Sequence, residues 1–103
     1  MTNGFAALAE PMRQRIVERL ARGPLSVGEL AAELPVTRPA ISQHLKVLKE
    51  ARLVTDRADG TKRIYRIDPA GLAEIRRWLD RFWDESLAAF AEAAEQQEDK
   101  DGR

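Results

Sequence analysis

Residues 26–51 read SVGELAAELPVTRPAISQHLKVLKEA, and the fold turns on them. Ser26 and Glu29 have capping-box spacing: a hydroxyl to accept from a first-turn N–H, and a carboxylate that reaches back to the cap. Val27, Leu30, Ala31 and Leu34 then fall at intervals that make one buried stripe of a helix. Pro35 and Val36 break it. Thr37 suits the next N-cap, and Pro39 suits a first turn, where its missing N–H has no intrahelical partner anyway. A second helix is expected from Arg38 to Ala51 with Ile41, Leu45 and Leu48 as its apolar face. Two helices joined by so short a break pack at a steep angle, so the second projects from the body.

Upstream, Asn3 to Ala9 reads as a short helix carrying Phe5 and Leu8. Pro11 opens another, with Ile16, Val17 and Leu20 on one face, and Gly23-Pro24 stops it. Downstream, Leu53–Arg57 and Arg63–Ile67 read as two short strands around Ala58-Asp-Gly-Thr61, where Asp-Gly signals a hairpin. Tyr65 and Ile67 alternate onto the side expected to pack inward. Asp68-Pro69 looks like a cap and a helix start, and a long helix follows from Ala70 to Gln97. Leu72, Ile75, Leu79, Phe82, Ala89 and Ala93 form its stripe, widened by Trp78, Trp83, Leu87 and Phe90. The expected fold is mainly α with a β-hairpin wing: a winged helix-turn-helix of about five helices and two strands. Residues 1–97 form one domain in this reading, and 98–103 a flexible acidic tail.

The chain's 103 residues carry no net formal charge, yet the charge is unevenly placed. Residues 1–67 hold 12 Lys/Arg against 7 Asp/Glu, and residues 68–103 hold 5 against 10. Within 36–67 the count is 8 against 3, so the basic excess lies on the second helix of the pair and the hairpin. Such a local surface attracts phosphate even on a neutral molecule, although a merely solvated surface shows the same asymmetry.

With Ile41, Leu45 and Leu48 turned inward, Arg38, Ser42, Gln43, Lys46 and Lys49 lie on or beside the outer face. Arg can fork onto guanine or phosphate, Gln can pair bidentately with adenine, and Lys suits phosphate. The hairpin adds Arg57, Lys62 and Arg63 at a place where a ribbon beside a groove-bound helix meets the backbone or a minor groove. An ordinary polar helix surface is the plain alternative. The order helix, break, helix, basic hairpin favours double-stranded DNA as the partner.

Four runs carry a resemblance: Phe5-Ala-Ala-Leu-Ala-Glu-Pro-Met-Arg-Gln-Arg-Ile16, Ser26-Val-Gly-Glu-Leu-Ala31, Ala40-Ile-Ser-Gln-His-Leu-Lys-Val-Leu48 and Ala51-Arg-Leu-Val54. They closely resemble the ArsR/SmtB family of bacterial repressors, over roughly residues 5–90. Where that family usually has Gly before Leu-Val, this chain has Arg52. The resemblance implies a homodimer joined through the first and last helices and operator binding relieved by a small inducer. By the resemblance Ser42 and Gln43 match positions that face DNA, and Arg38 and Pro39 sit at the recognition-helix entry; Thr37, Lys46 and Lys49, with Arg57, Lys62 and Arg63 on the wing, complete the expected DNA-facing set as read from the residues. The dimer surface would use Phe5, Leu8, Leu72, Ile75, Leu79, Phe82, Trp83 and Phe90. A two-fold dimer sets its recognition helices one duplex turn apart, roughly 34 Å, and calls for a palindromic operator.

Many members of that family sense metals, by cysteines near the helix pair or by histidines and carboxylates on the last helix. This chain has no cysteine, and its one histidine, His44, is not on that helix. Asp80, Asp84 and Glu85 alone would make a weak, hard-metal site. No cofactor is therefore expected. The effector stays open among a small molecule, a protein, and nickel or another metal at a non-standard site. The aromatic residues of the last helix could line an effector pocket or serve packing alone. Catalysis is not expected: no phosphate-cradling glycine loop is present, and His44 has no carboxylate partner in nearby sequence. The absence of a signal peptide and of a long apolar span leads to a cytoplasmic protein without a membrane partner. The rival reading is a winged-helix module for protein association, with the aromatic last helix as its surface and DNA incidental.

Overall fold

The computed structural model describes residues 3–102, and side chains as far as residue 96. The elements in order are α1 (Gly4–Leu8), α2 (Pro11–Leu20), β1 (Leu25–Ser26), α3 (Val27–Glu33), α4 (Arg38–Glu50), β2 (Val54–Asp59), β3 (Lys62–Ile67) and α5 (Pro69–Gly102). The chain divides into two units after Ala73.

In the first unit each early helix begins where a side chain can take up its orphan N–H groups. Asn3 Oδ1 accepts from the Ala6 N–H at 2.7 Å, Glu10 Oε2 from Arg13 at 2.8 Å, and Thr37 Oγ1 from Ala40 at 3.3 Å. The capping box of α3 is complete: the Glu29 N–H donates to Ser26 Oγ at 3.2 Å, and the Ser26 N–H to Glu29 Oε1 at 3.0 Å. Two side chains of α2 close the end of α1. Arg13 Nε donates to the Ala7 carbonyl at 2.7 Å and Gln14 Nε2 to the Leu8 carbonyl at 2.6 Å. Ile16, Leu30, Ile41, Leu45, Leu48 and Leu53 are fully buried and form the centre of the core. The α4 face is buried as read from the sequence, as are Ile16 and Leu20 of α2, but of the α3 stripe only Leu30 is buried, and Val17, Val27, Ala31 and Leu34 are half-buried.

Among the described residues three strands are present, not the two expected. β1, β3 and β2 lie side by side in that order, all antiparallel. Leu25 pairs with Tyr65 and Ser26 with Ile64. Two residues carry no alternation to read, and both are buried beside the Gly23-Pro24 stop, so β1 is invisible as a pattern. The hairpin is longer than expected because Asp59 pairs with Lys62, leaving a two-residue turn at Gly60-Thr61. Gly60 takes φ +62°, a conformation open to glycine at no steric cost.

Helix α4 ends in a Schellman arrangement. The Leu53 N–H donates to the Leu48 carbonyl at 2.9 Å and the Arg52 N–H to Lys49 at 3.0 Å, with Arg52 at φ +62°. Arginine thus occupies a left-handed position where glycine is the usual solution. The start of α5 seats directly against this turn: a Cβ on Gly71 would lie 1.7 Å from the Arg52 carbonyl oxygen.

The second unit is the remainder of α5. The helix extends to Gly102, past the expected end at Gln97. The proposed acidic tail, 98–103, falls on residues whose side chains lie outside the described set. Trp78, Leu79, Phe82, Trp83, Leu87 and Phe90 are exposed large apolar side chains, from 40% at Leu79 to 75% at Phe90. Trp78 and Phe82 stack with ring centroids 5.3 Å apart, and Trp83 meets Phe82 edge-on at 5.9 Å. Among the described residues no helix is long and apolar enough to cross a membrane.

Candidate nucleic-acid interface

Helix α4 has two unlike sides. Ile41, Leu45 and Leu48 have no exposure, and this anchors the helix along its length. Arg38, Pro39, Ser42, Gln43, Lys46 and Lys49 are all exposed. Thr37 is exposed too, but its hydroxyl is spent on the cap of α4. A polar stripe held by a fixed apolar stripe is a surface whose donors keep their direction.

The structure brings part of the predicted set around one cleft of about 420 Å³. Its lining includes Ser26, Gly28 and Glu29 from the start of α3, Arg38 from the start of α4, and Thr61, Lys62 and Arg63 from the hairpin tip. Gly28 leaves room for the Arg38 guanidinium, since a Cβ there would stand 3.0 Å from Arg38 Nη2.

The wing cations do not act as one group. Strand register and the two-residue alternation put Arg57, Lys62 and Arg66 on one face, with Thr55, Asp59 and Ile64. Arg63 lies on the other face, with Val54, Asp56, Tyr65 and Ile67. There Asp56 accepts from both sides: Lys49 Nζ is 2.7 Å from its Oδ1 and Arg63 Nη1 is 2.8 Å from its Oδ2. The Asp56 side chain is only 3% exposed, while Lys49 and Arg63 are more than half exposed. The hydrogen bond from Lys49, reinforced by that from Arg63, holds the Asp56 carboxyl below the usual carboxylate range against the opposing effect of burial. Sequence reading named Lys49 and Arg63 but not Asp56, because nothing local shows that β2 returns beside the last turn of α4.

His44 also has partners that sequence spacing hides. Its Nδ1 lies 3.7 Å from Glu10 Oε2 and 3.4 Å from Arg13 Nη1. The half-buried ring thereby joins α4 to the start of α2, a packing role. Among the described residues no three His, Asp or Glu side chains gather as a metal site.

Of the predicted dimer residues, Phe5, Leu79, Phe82, Trp83 and Phe90 are exposed, whereas Leu8, Leu72 and Ile75 are half-buried. Trp78 and Leu87 belong to the exposed group as well.

Comparison with known proteins places this geometry. The profile of the bacterial regulatory protein arsR family matches residues 10–56, which span α2, the helix pair and the start of β2. HTH-type transcriptional regulator Rv2034 of Mycobacterium tuberculosis is 60% identical over 95 residues, covering 92% of this chain and 89% of that protein. The chain belongs to the ArsR family. A second relative, the transcriptional repressor SdpR of Bacillus subtilis, is 30% identical over 82 residues, 80% of this chain and 91% of its own. The ArsR-like transcriptional regulator from Rhodococcus sp. RHA1 superposes with a TM-score of 0.71 at 39% identity, covering 84% of each chain. ArsR family regulators bind DNA and act as dimers. This ArsR protein is accordingly a DNA-binding transcriptional regulator and not an enzyme.

Proposed function

We propose that this ArsR protein is a cytoplasmic homodimeric repressor that reads a palindromic operator with α4 and grips the flanking backbone with its hairpin. The carrying observation is the exposed polar stripe of α4, fixed from behind by Ile41, Leu45 and Leu48. In this reading Gln43 and Ser42 face base edges, and Arg38 takes a guanine or a phosphate from the cleft it shares with Lys62. Lys46, Arg57 and Lys62 neutralise phosphates. Thr37 and Pro39 set the start of the helix. The dimer closes over Phe5, Leu8, Leu72, Ile75, Leu79, Phe82, Trp83 and Phe90; of these, Leu79, Phe82, Trp83 and Phe90 leave apolar surface of α5 exposed in a single chain.

Footprinting the protein on its own upstream region tests this. The expected result is two protected half-sites related by a dyad and spaced by about one duplex turn, roughly 34 Å. Binding should weaken steeply with salt, by about 0.9 logarithmic units per decade for each phosphate neutralised. A single undivided footprint, or affinity that is equal on all duplexes, would contradict the reading.

A further inference from the structure

Beyond the exposed cations stands a carboxylate that is nearly covered by them. The Asp56 carboxylate is 3% exposed and holds one cation from the last turn of α4 and one from β3. β1 pairs with β3 only at Tyr65 and Ile64, so the ladder from Ala58 to Arg63 runs out past the three-stranded part of the sheet. The outer hairpin is therefore a two-stranded ribbon, and such ribbons gain little stiffness from their own pairing. The Lys49–Asp56–Arg63 bridge lies near the base of that ribbon, and it spans from helix to wing. We infer that Asp56 is a positioning residue for operator recognition: its carboxylate ties the last turn of α4 to the wing and fixes where the wing cations stand relative to the recognition helix. This rests on α4 and the hairpin being the DNA-facing elements.

Two considerations favour orientation over simple stabilisation. An ion pair whose cations are more than half exposed adds little net stability, so the distinctive product of this one is a defined geometry. The carboxylate also cancels one of two positive charges at a surface that must meet phosphate, which works against non-specific binding. Asp56 thus trades general attraction for register, and its removal should act on specific and non-specific binding in opposite senses.

The test uses the full-length dimer and two probes: a duplex enriched by the wild-type protein from a random pool, and the same duplex with its sequence shuffled. Asp56→Asn keeps the shape and removes the charge. The expected result is a fall of about tenfold or more in the ratio of enriched to shuffled affinity, with shuffled affinity undiminished. A smaller change in the ratio, or a parallel loss on both duplexes, overturns the inference. A purely structural role gives the parallel loss. Should Asp56→Asn not fold, Lys49→Met breaks the same bridge from its exposed end. It should lower the ratio as well, whereas a uniform loss on both duplexes would make Lys49 a phosphate anchor alone and overturn the inference. A wild-type protein that enriches no sequence contradicts operator recognition itself, and this is seen before any variant is made.

Discussion

Arg52 and Gly71 meet at one turn: position 52 favours glycine and holds arginine, whereas position 71 requires glycine and has it. Arg52 sits at φ +62°, where a side chain costs roughly 1–2 kcal/mol, less glycine's own entropic cost of about 0.5–1 kcal/mol. Arg52→Gly is expected to raise the unfolding free energy by about 0.5–1 kcal/mol, measured by urea denaturation. Gly71→Ala is expected to do the reverse, by about 1–3 kcal/mol, because its Cβ would meet a backbone oxygen that cannot turn away. Gly71 was not singled out by sequence, since a glycine early in a helix carries no sign of what approaches it. The same holds for Asp56 and His44: their partners lie on other elements, at separations that no local pattern records. Ser26 and Glu29 were legible because both halves of their interaction lie three residues apart.

At the scale of elements, two carboxylates cap helices and two join elements, and all four are held below their ordinary range. Glu10 is held chiefly by the Arg13 N–H at the start of α2, and Glu29 chiefly by the Ser26 N–H at the start of α3. Glu33 is held by the Arg19 guanidinium, which joins α2 to α3, and Asp56 by Lys49. A lowered folded-state pKa means that the unfolded chain takes up protons first as pH falls. The stability these groups contribute is therefore complete above the ordinary carboxylate range, about pH 4–4.5, and is lost as pH drops through and below it. Urea midpoints should be level from neutral pH to about pH 5 and then decline. Glu33→Gln should make that decline shallower. A midpoint that rises on acidification would contradict this assignment. The helices were legible as elements because caps and apolar spacing agree along α2, α3 and α4. β1 was not, since two residues offer no period, and the division of the wing cations between two faces required the register.

For the whole molecule, the lopsided charge and the aromatic last helix were both plain in the sequence. What covers the aromatic face could not be, because a partner surface leaves no mark on the spacing of one chain. The expected outcome of Phe82→Asp with Trp83→Asp is a folded monomer by sedimentation, since two charges would then face their symmetry mates in an apolar contact. Operator affinity should fall by about a hundredfold or more as the second half-site loses its tether. An intact dimer would move the interface away from this face.

The most direct test of the central claim is the base preference of Gln43→Ala, measured against every single substitution in one operator half-site. If α4 lies in the major groove with Gln43 on a base edge, preference should flatten by about 1–3 kcal/mol at one or two adjacent positions and persist elsewhere. Preference unchanged at every position, or affinity lost equally across all of them, would contradict it.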